Sequence, residues 1–512
     1  MMSAAEIPGY YWDKDRRKYF KIEKSQTAPT EAAWSRESVK RRKVQDEQAE
    51  AEQARREEAK MGIRRHGRFH AHAMAGGMLA REMHGGGGGE LDGGAAWAAG
   101  VVGKGQVEFG LHTTQPLSIG CLYVNGDDSK TGMGAAYLTL DDQMVLGTYL
   151  PTDANSSISF ARAPSTMPVP SPPGFWPEMI RCPQMSSMRY HEPSSHMLLT
   201  SRQPDTHCGI YLFSPIVSDA HDTSRPNWLL GQISYYKRIS MGQRHNSRWQ
   251  SNTCCPAPAS SNQICVVATN AGILSVSSNE ESLWLAPPRE RHRLTHHRAC
   301  SPLDVLDLDY QMGNPNVVFA GGRKPLVWTI DMRAPEADWL ATPLVAPPSS
   351  RTPRPRSSAF SISHLRSINP FHILAAGPCD AMAIYDIRSL AQSCHAAHIR
   401  RSGASEPLPL AKPLVTFPHY RNAAHIHSGW DVSPQLGVVA TAHDDGSFGL
   451  FSLRTGRLLQ HAATIPSTKL HIPIRAMQFQ TMPTELLPSL FVAEGSSLRK
   501  YSFGANKLHD EA

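Results

Sequence analysis

Several stretches hold residue types that could do chemistry. Residues 126–134, GDDSKTGMG, resemble a phosphate-binding loop. The GxxxxGK[ST] spacing is absent and no strand-to-helix unit follows, so a hairpin turn is the reading they support. His296, His297 and Cys300, taken with Cys254 and Cys255, offer metal-ligating atoms. They are separated by a long gap and contain no CxxC, which points to a loop cluster and not to zinc. His425 and His427 flank a predicted strand. Asp444–Asp445 pair their carboxylates as an acid–base site would, but Gly446 follows and makes them a turn. No GxSxG nucleophile turn occurs and no triad order can be argued. The expectation is a chain without catalytic activity, metal or cofactor.

Two other patterns carry more. Aspartate–x–arginine occurs at Asp15-x-Arg17, Asp331-x-Arg333 and Asp386-x-Arg388. The last two close the same strand in two successive sequence repeats. An aspartate there can cap a strand end by hydrogen bonding. A long cation at a repeated rim position suits an interface anchor. The second pattern is KRRK, Lys40, Arg41, Arg42 and Lys43. It reads as a nuclear-import signal, as a nucleic-acid-contacting helix face, or as a solvated charge run.

The elements that must hold these residues fall into three zones. The chain has 512 residues, 40% hydrophobic and 19% charged, enough for a large core. Residues 1–68 carry 17 Lys/Arg and 12 Asp/Glu, a balance of +5, and leave +2 of the total +7 to all the rest. So neutral a body does not fit a large phosphate-binding face, and nucleic acid is not expected as a partner. Zone one opens with PGYYWDKDRRKYFKI, aromatic at Tyr10, Tyr11, Trp12, Tyr19 and Phe20. These rings expose too much apolar area for a free tail and predict a docking arm. A charged helix is expected over about 31–61, with Thr30 as N-cap and Gly62 at its end. Zone two, 69–105, reads as a glycine-rich flexible linker, with Gly85–Gly89 consecutive. The nine cysteines form no CxxC, and the opening residues contain no apolar run of signal-peptide type. No stretch of about 18 apolar residues exists to span a membrane. The expectation is a reduced intracellular chain.

Zone three, 106–505, is strand-like throughout. NVVFAGGRKPLVWTIDMR (316–333), FHILAAGPCDAMAIYDIR (371–388) and LGVVATAHDDGSFGLFSLR (436–454) share one plan, with LPSLFVAEGSSLRKYSF (487–503) a shorter copy. Each has an apolar strand ending in small residues, a polar turn and a second apolar strand. That plan reads as the inner hairpin of a propeller blade, its small residues crowding the axis. At about 40–60 residues per blade, zone three makes seven blades, an all-β propeller. Asn125-Gly126 and Asp445-Gly446 predict hairpin turns. Pro-rich stretches at 164–177 and 342–356 read as insertions.

The opening IPGYYWDKDRRKYFKI and the later AKMGIRR (Met61, Gly62) resemble the start of the damaged-DNA-binding protein 1- and cullin-4-associated factors formerly called WD-repeat protein 21. IDMR (330–333), YDIR (385–388), VVATAHDDGSFGLFSLRTGRLL and SLFVAEGSSLRKYSF resemble that subfamily's late blades. The similarity covers about 1–65 and 300–505. It implies a seven-bladed WD-repeat β-propeller that acts as substrate receptor of a cullin-4 RING ubiquitin ligase and recruits a protein target. It further implies that Arg333 and Arg388 contact a damaged-DNA-binding protein 1 type adaptor, with Asp331 and Asp386 holding the strand ends. This sequence departs from the pattern at Ile330 and Tyr385, where tryptophan is usual, and at Ser452, where an aspartate would stand. The alternative reading is a WD-repeat scaffold of a nuclear ribonucleoprotein or chromatin complex. The target is not readable from the sequence.

Overall fold

The computed structural model describes residues 10–13, 18–22, 35, 37–41, 43–45, 47–49, 52, 93–109, 118–126, 134–142, 144–153, 155–158, 184–202, 209–213, 236–240, 250–286, 304–335, 338–347, 360–388, 392–393, 410–459, 473–483 and 485–504. Thr30, Arg42, Gly85–Gly89, 127–133, 164–177, His296, His297 and Cys300 lie outside them, as does the Asp15-x-Arg17 triplet. The chain divides into two compact units, Met1–His72 and Ala73–Ala512.

In the first unit, β1 (Tyr10–Asp13) and β2 (Lys18–Lys21) form an antiparallel hairpin. Its register sets Tyr11 opposite Phe20 and Trp12 opposite Tyr19. Aromatic residues suit a pleated strand and cross-strand aromatic pairs stabilise it, so the arm takes β structure. Helical residues follow within 37–52. The helix begins later than the expected residue 31. Ser35 Oγ accepts the Ser38 N–H at 3.2 Å and the Ser35 carbonyl accepts the Val39 N–H at 3.0 Å. A serine that satisfies a first-turn N–H in this way is an N-cap, which puts the helix start at Ser35.

The second unit is a seven-bladed β-propeller. Blade 1 is β4 (Ile119–Asn125), β5 (Gly134–Leu140) and β6 (Met144–Leu150). Blade 2 is β7 (Met185–His191), β8 (His196–Ser201), β9 (Gly209–Phe213) and β10 (Tyr236–Ser240). Blade 3 is β11 (Ser251–Pro256), β12 (Gln263–Thr269), β13 (Ile273–Ser277) and β14 (Ser282–Ala286). Blade 4 is β15 (Val305–Tyr310), β16 (Val317–Gly322), β17 (Leu326–Asp331) and β18 (Leu340–Pro343), with the short β22 (Gln392–Ser393) added outside. Blade 5 is β19 (His364–Ser367), β20 (His372–Gly377), β21 (Ala381–Asp386) and β23 (Pro413–Thr416). Blade 6 is β24 (Trp430–Ser433), β25 (Val438–Ala442) and β26 (Phe448–Ser452). Blade 7 is β27 (Met477–Gln480), β28 (Ser489–Glu494) and β29 (Ser497–Phe503), completed by the early strand β3 (Val101–Glu108).

Two features close the ring. The antiparallel β29–β3 pair joins the early and late ends of the propeller sequence within one blade, with β3 as its outermost strand. Seven buried apolar clusters also form, one at every junction between neighbouring blades, including blade 7 against blade 1. Sheets packed face to face in this way remove both faces of each blade from water, which is why β16, β20 and β25 are apolar runs without alternation.

Beyond the helix start, the structure corrects three further expectations. The glycine-rich linker ends earlier than residue 105. Gly93–Ala99 form a helix, α1, whose Trp97 and Ala98 are buried in the cluster between blades 6 and 7. Trp97 meets Phe479 edge-on at 5.7 Å, and Gly100 packs so close to the Phe503 ring that a Cβ would fall 2.3 Å from it. The glycines here permit close packing, and the burial of Trp97 offsets their entropy cost. Secondly, the repeated hairpin supplies the second and third strands of each blade, not the innermost. The innermost strands are β4, β7, β11, β15, β19, β24 and β27. The small residues serve a different contact: a Cβ at Gly321 would meet Ile362 at 2.5 Å, and one at Gly377 would meet the Ser361 carbonyl at 1.9 Å. They admit the segment entering blade 5. Thirdly, Asn125-Gly126 is no tight turn, because Asn125 pairs with Ala135 across a longer loop. Asp445-Gly446 is a turn, with Gly446 at φ +76° and the His443 N–H on the Ser447 carbonyl.

Candidate functional site

Strands β17 and β21 both end in aspartate, and the chain then turns identically. Asp331 Oδ1 accepts the Arg333 backbone N–H at 3.0 Å, and Asp386 Oδ1 accepts that of Arg388 at 2.9 Å. Short acidic side chains make this two-residue turn readily. Each arginine then folds back onto its own aspartate. Arg333 donates Nε to Asp331 Oδ1 at 3.0 Å and Nη2 to Oδ2 at 2.8 Å. Arg388 donates Nε to Asp386 Oδ1 at 3.1 Å and Nη2 to Oδ2 at 2.6 Å.

The two-pronged fork fixes the guanidinium plane. The same hydrogen bond from Arg333 holds the Asp331 carboxyl below the usual carboxylate range, and that from Arg388 holds Asp386 at about 2. The arginines remain 64% and 54% exposed. They are therefore oriented yet open, and not loose as a bare rim cation would be. Arg388 also lies 4.9 Å from the Phe371 ring centroid, and Phe371 and Met312 are large exposed apolar neighbours on the adjoining turns. Cations over aromatic faces and exposed apolar side chains are the composition of protein-binding surfaces.

The departures at the residue before aspartate fall in the core. Ile330 is buried between blades 3 and 4. Tyr385 is buried between blades 4 and 5, with its hydroxyl donating to the Val345 carbonyl at 2.8 Å. Neither touches the fork, and both forks have the same geometry. At the third position Ser452 is buried, and its carbonyl accepts the Gly456 N–H at 2.8 Å, so blade 6 has no carboxylate there.

No family model matches the chain. No curated protein matches it. Among solved structures it is similar to the WD40 β-propeller domain of Doa1, at a TM-score of 0.45 and 10% identity over 79% of this chain and 98% of that one. That likeness is too loose to bear on the site.

The other residues singled out from the sequence are spread apart. Tyr10 is exposed, and Tyr11, Tyr19 and Phe20 are half-buried in the first unit. Trp12 lies in the same hairpin. Lys40, Arg41 and Lys43 are exposed on the helical segment. Cys254 and Cys255 are buried in β11, where burial raises both thiols and keeps them protonated. Among the described residues no group of three His, Cys, Asp or Glu is placed to hold a metal ion. Asp444 accepts the Ala423 N–H and Asp445 the Ser447 N–H, so that pair builds a turn. No helix among the described residues is long and apolar enough to cross a membrane.

Sequence reasoning missed the polar residues of the innermost strands. Asp307 Oδ2 accepts the Leu365 N–H at 2.7 Å and Asp309 Oδ2 the Ser367 N–H at 2.7 Å, joining blade 4 to blade 5. Asp431 Oδ2 accepts the Phe479 N–H at 2.7 Å, joining blade 6 to blade 7. Arg366 lies between them, 3.7 Å from Asp309 and 3.6 Å from Asp431, with its guanidinium over Trp430. Burial opposes the Arg366 charge, but Asp309, Asp431 and Asp307 outweigh it and raise its pKa. Their one sequence signal was alternation at period two, Asp307/Asp309 and His364/Arg366.

Proposed function

We propose that this chain is a non-catalytic substrate receptor of a cullin-4 RING ubiquitin ligase, docking a damaged-DNA-binding protein 1 type adaptor through Arg333 and Arg388 and recruiting a protein target. The observation that carries the reading is the pair of matching Asp–Arg forks at the ends of β17 and β21, both open to solvent. Nothing else in blades 4 and 5 needs such a cation: an exposed ion pair of this kind adds little stability. The aromatic hairpin of the first unit is a second docking element in this proposal, and Lys40–Lys43 direct the chain to the nucleus.

Affinity purification of the full chain tests the proposal, comparing wild type with the Arg333→Ala/Arg388→Ala double variant. The adaptor and cullin-4 are expected with the wild type and absent from the double variant. Equal recovery from both overturns the assignment of these residues. No adaptor in either overturns the ligase reading and leaves the scaffold of a nuclear complex. For location, alanine at Lys40, Arg41, Arg42 and Lys43 is expected to move a fluorescent fusion from nucleus to cytoplasm; an unchanged distribution makes the run a solvated helix face.

A further inference from the structure

The starts of the innermost strands surround a cavity of about 130 Å³. It opens on the face opposite the Asp–Arg forks. Asp331 pairs with Val317 at the beginning of β16, whereas the cavity-lining end of β15 pairs with Gly322 at the end of β16. Four arginines line it, Arg189, Arg202, Arg366 and Arg475, together with His364, His427 and Asp307.

The acids here are already engaged. Asp309 and Asp431 hold Arg366 and backbone N–H groups of the next blade. Asp307 is bound to the N–H groups of Leu365 and Leu308. Asp142 Oδ2 accepts from Arg475 Nη2 at 2.9 Å, and its buried Oδ1 is shut against Gly120, where a Cβ would lie 1.8 Å away. The arginines are not all engaged. Arg202 donates Nη2 to His427 Nδ1 at 2.9 Å, and burial first, then Arg202 and Arg475, lower the His427 pKa to about 3, so the ring accepts as a neutral base. Arg202 Nε is buried without a partner. Arg189 pairs with Leu198 through its backbone, but its guanidinium makes no hydrogen bond or ion pair among the described residues and acts on Asp307, Asp309 and Asp431 only through its charge.

We propose that this channel mouth is an oxyanion site, in which Arg189 and Arg202 take the carboxylate or phosphoryl group of a bound ligand. Guanidinium donors match both groups in fork geometry, and a buried donor left unpaired is costly until an acceptor arrives. The cavity is smaller than the roughly 300–1,000 Å³ of ordinary cofactor pockets, so it admits one small anionic group and not a nucleotide. The proposal does not rest on the adaptor reading, which concerns the opposite face.

Calorimetry and melting of the full chain test it, with inorganic phosphate, a hexaglutamate peptide and a hexalysine peptide as probes. Phosphate or hexaglutamate is expected to bind with an affinity of about 10 mM or tighter, to raise the melting temperature, and hexalysine to do neither. Binding of hexaglutamate alone identifies a protein carboxylate as the source; binding of phosphate alone identifies a phosphoryl group. Arg189→Gln is expected to weaken binding roughly 10-fold or more while the ligand-free protein still folds and melts cooperatively, since the variant breaks no hydrogen bond or ion pair of the side chain and loses only its charge near Asp307, Asp309 and Asp431. Arg202→Gln is expected to weaken it likewise. Failure of both anions to bind, or wild-type binding by both variants, overturns the proposal. Adaptor recovery by Arg189→Gln is expected to be normal, so this proposal and the adaptor reading fail separately.

Discussion

Gln478 grips Val124 across the junction where the propeller closes. Its Oε1 accepts the Val124 N–H at 2.7 Å and its Nε2 donates to the Val124 carbonyl at 2.9 Å, so one side chain completes both backbone valences of a residue on the neighbouring blade. Other junctions use the same device. Asn252 donates to the Val305 carbonyl at 2.6 Å, and Ser187 Oγ accepts the Cys254 N–H at 3.0 Å. The innermost strands lie too far apart for a continuous ladder, and polar side chains bridge them.

Gln478→Ala therefore strands both Val124 groups in a residue that is fully buried. The expected loss is about 1–3 kcal/mol in denaturant unfolding with an unchanged slope. Gln478→Glu retains the acceptor but not the donor and is expected to fall between. A wild-type midpoint for Gln478→Ala would show that water replaces the grip.

The same bridges explain what the sequence could and could not reveal. The hairpins β16–β17, β20–β21, β25–β26 and β28–β29 stood out as repeats because buried strands are apolar on both faces. The innermost strands HLRS, WDVS and MQFQ are short and half polar. Their polar positions face the channel or the next blade, so they lack the apolar run that marks the other strands. That placed the repeated hairpin at the axis, where β15, β19, β24 and β27 stand. The Asp–Arg forks were legible because both residues sit in the turn that ends a recognisable strand. Arg189 and Arg202 flank the first two strands of blade 2 and Arg475 precedes blade 7, and no spacing in the sequence links them into one site.

A buried lysine gives a second stability test. Lys500 in β29 is fully buried, 2.7 Å from Glu485 and donating to the Ser156 carbonyl at 2.7 Å. Burial lowers its pKa, and Glu485 opposes that shift. Removing one member leaves the other charge uncompensated, so Glu485→Ala or Lys500→Ala is expected to cost about 3–5 kcal/mol. Replacing both with apolar residues of similar volume, Lys500→Met with Glu485→Leu, is expected to recover most of it. Additive losses in the double variant would refute a coupled pair.

The forks separate binding from stability. Arg333→Ala and Arg388→Ala each remove an exposed cation, so melting is expected to hardly move while adaptor binding weakens, roughly 30-fold for an interface anchor. Asp331→Ala and Asp386→Ala also lose the turn bond to the following N–H, and unfolding is expected to become easier by about 0.5–1.5 kcal/mol. The depressed Asp386 pKa means its contribution is present above the unfolded value near 4 and lost as pH falls towards about 2. A large drop in melting temperature for Arg333→Ala or Arg388→Ala would make those residues structural.

Asp307 has the opposite pH sign. Burial raises its carboxyl to about 6, and the Arg366 charge and the Leu365 N–H counter that only partly. The folded protein therefore holds this proton where the unfolded chain has released it. Stability from this group is full below the unfolded value near 4 and is lost as pH rises through about 6. Asp307→Asn cannot ionise, and its Oδ1 can still accept the Leu365 N–H. The variant is expected to gain on the wild type as pH rises from about 4 to 6.5, by about 1–2 kcal/mol once channel water is allowed for. Urea unfolding of both proteins across that range measures the difference directly. A difference that stays flat with pH would mean that Arg366 already holds Asp307 ionised at the low end of the range.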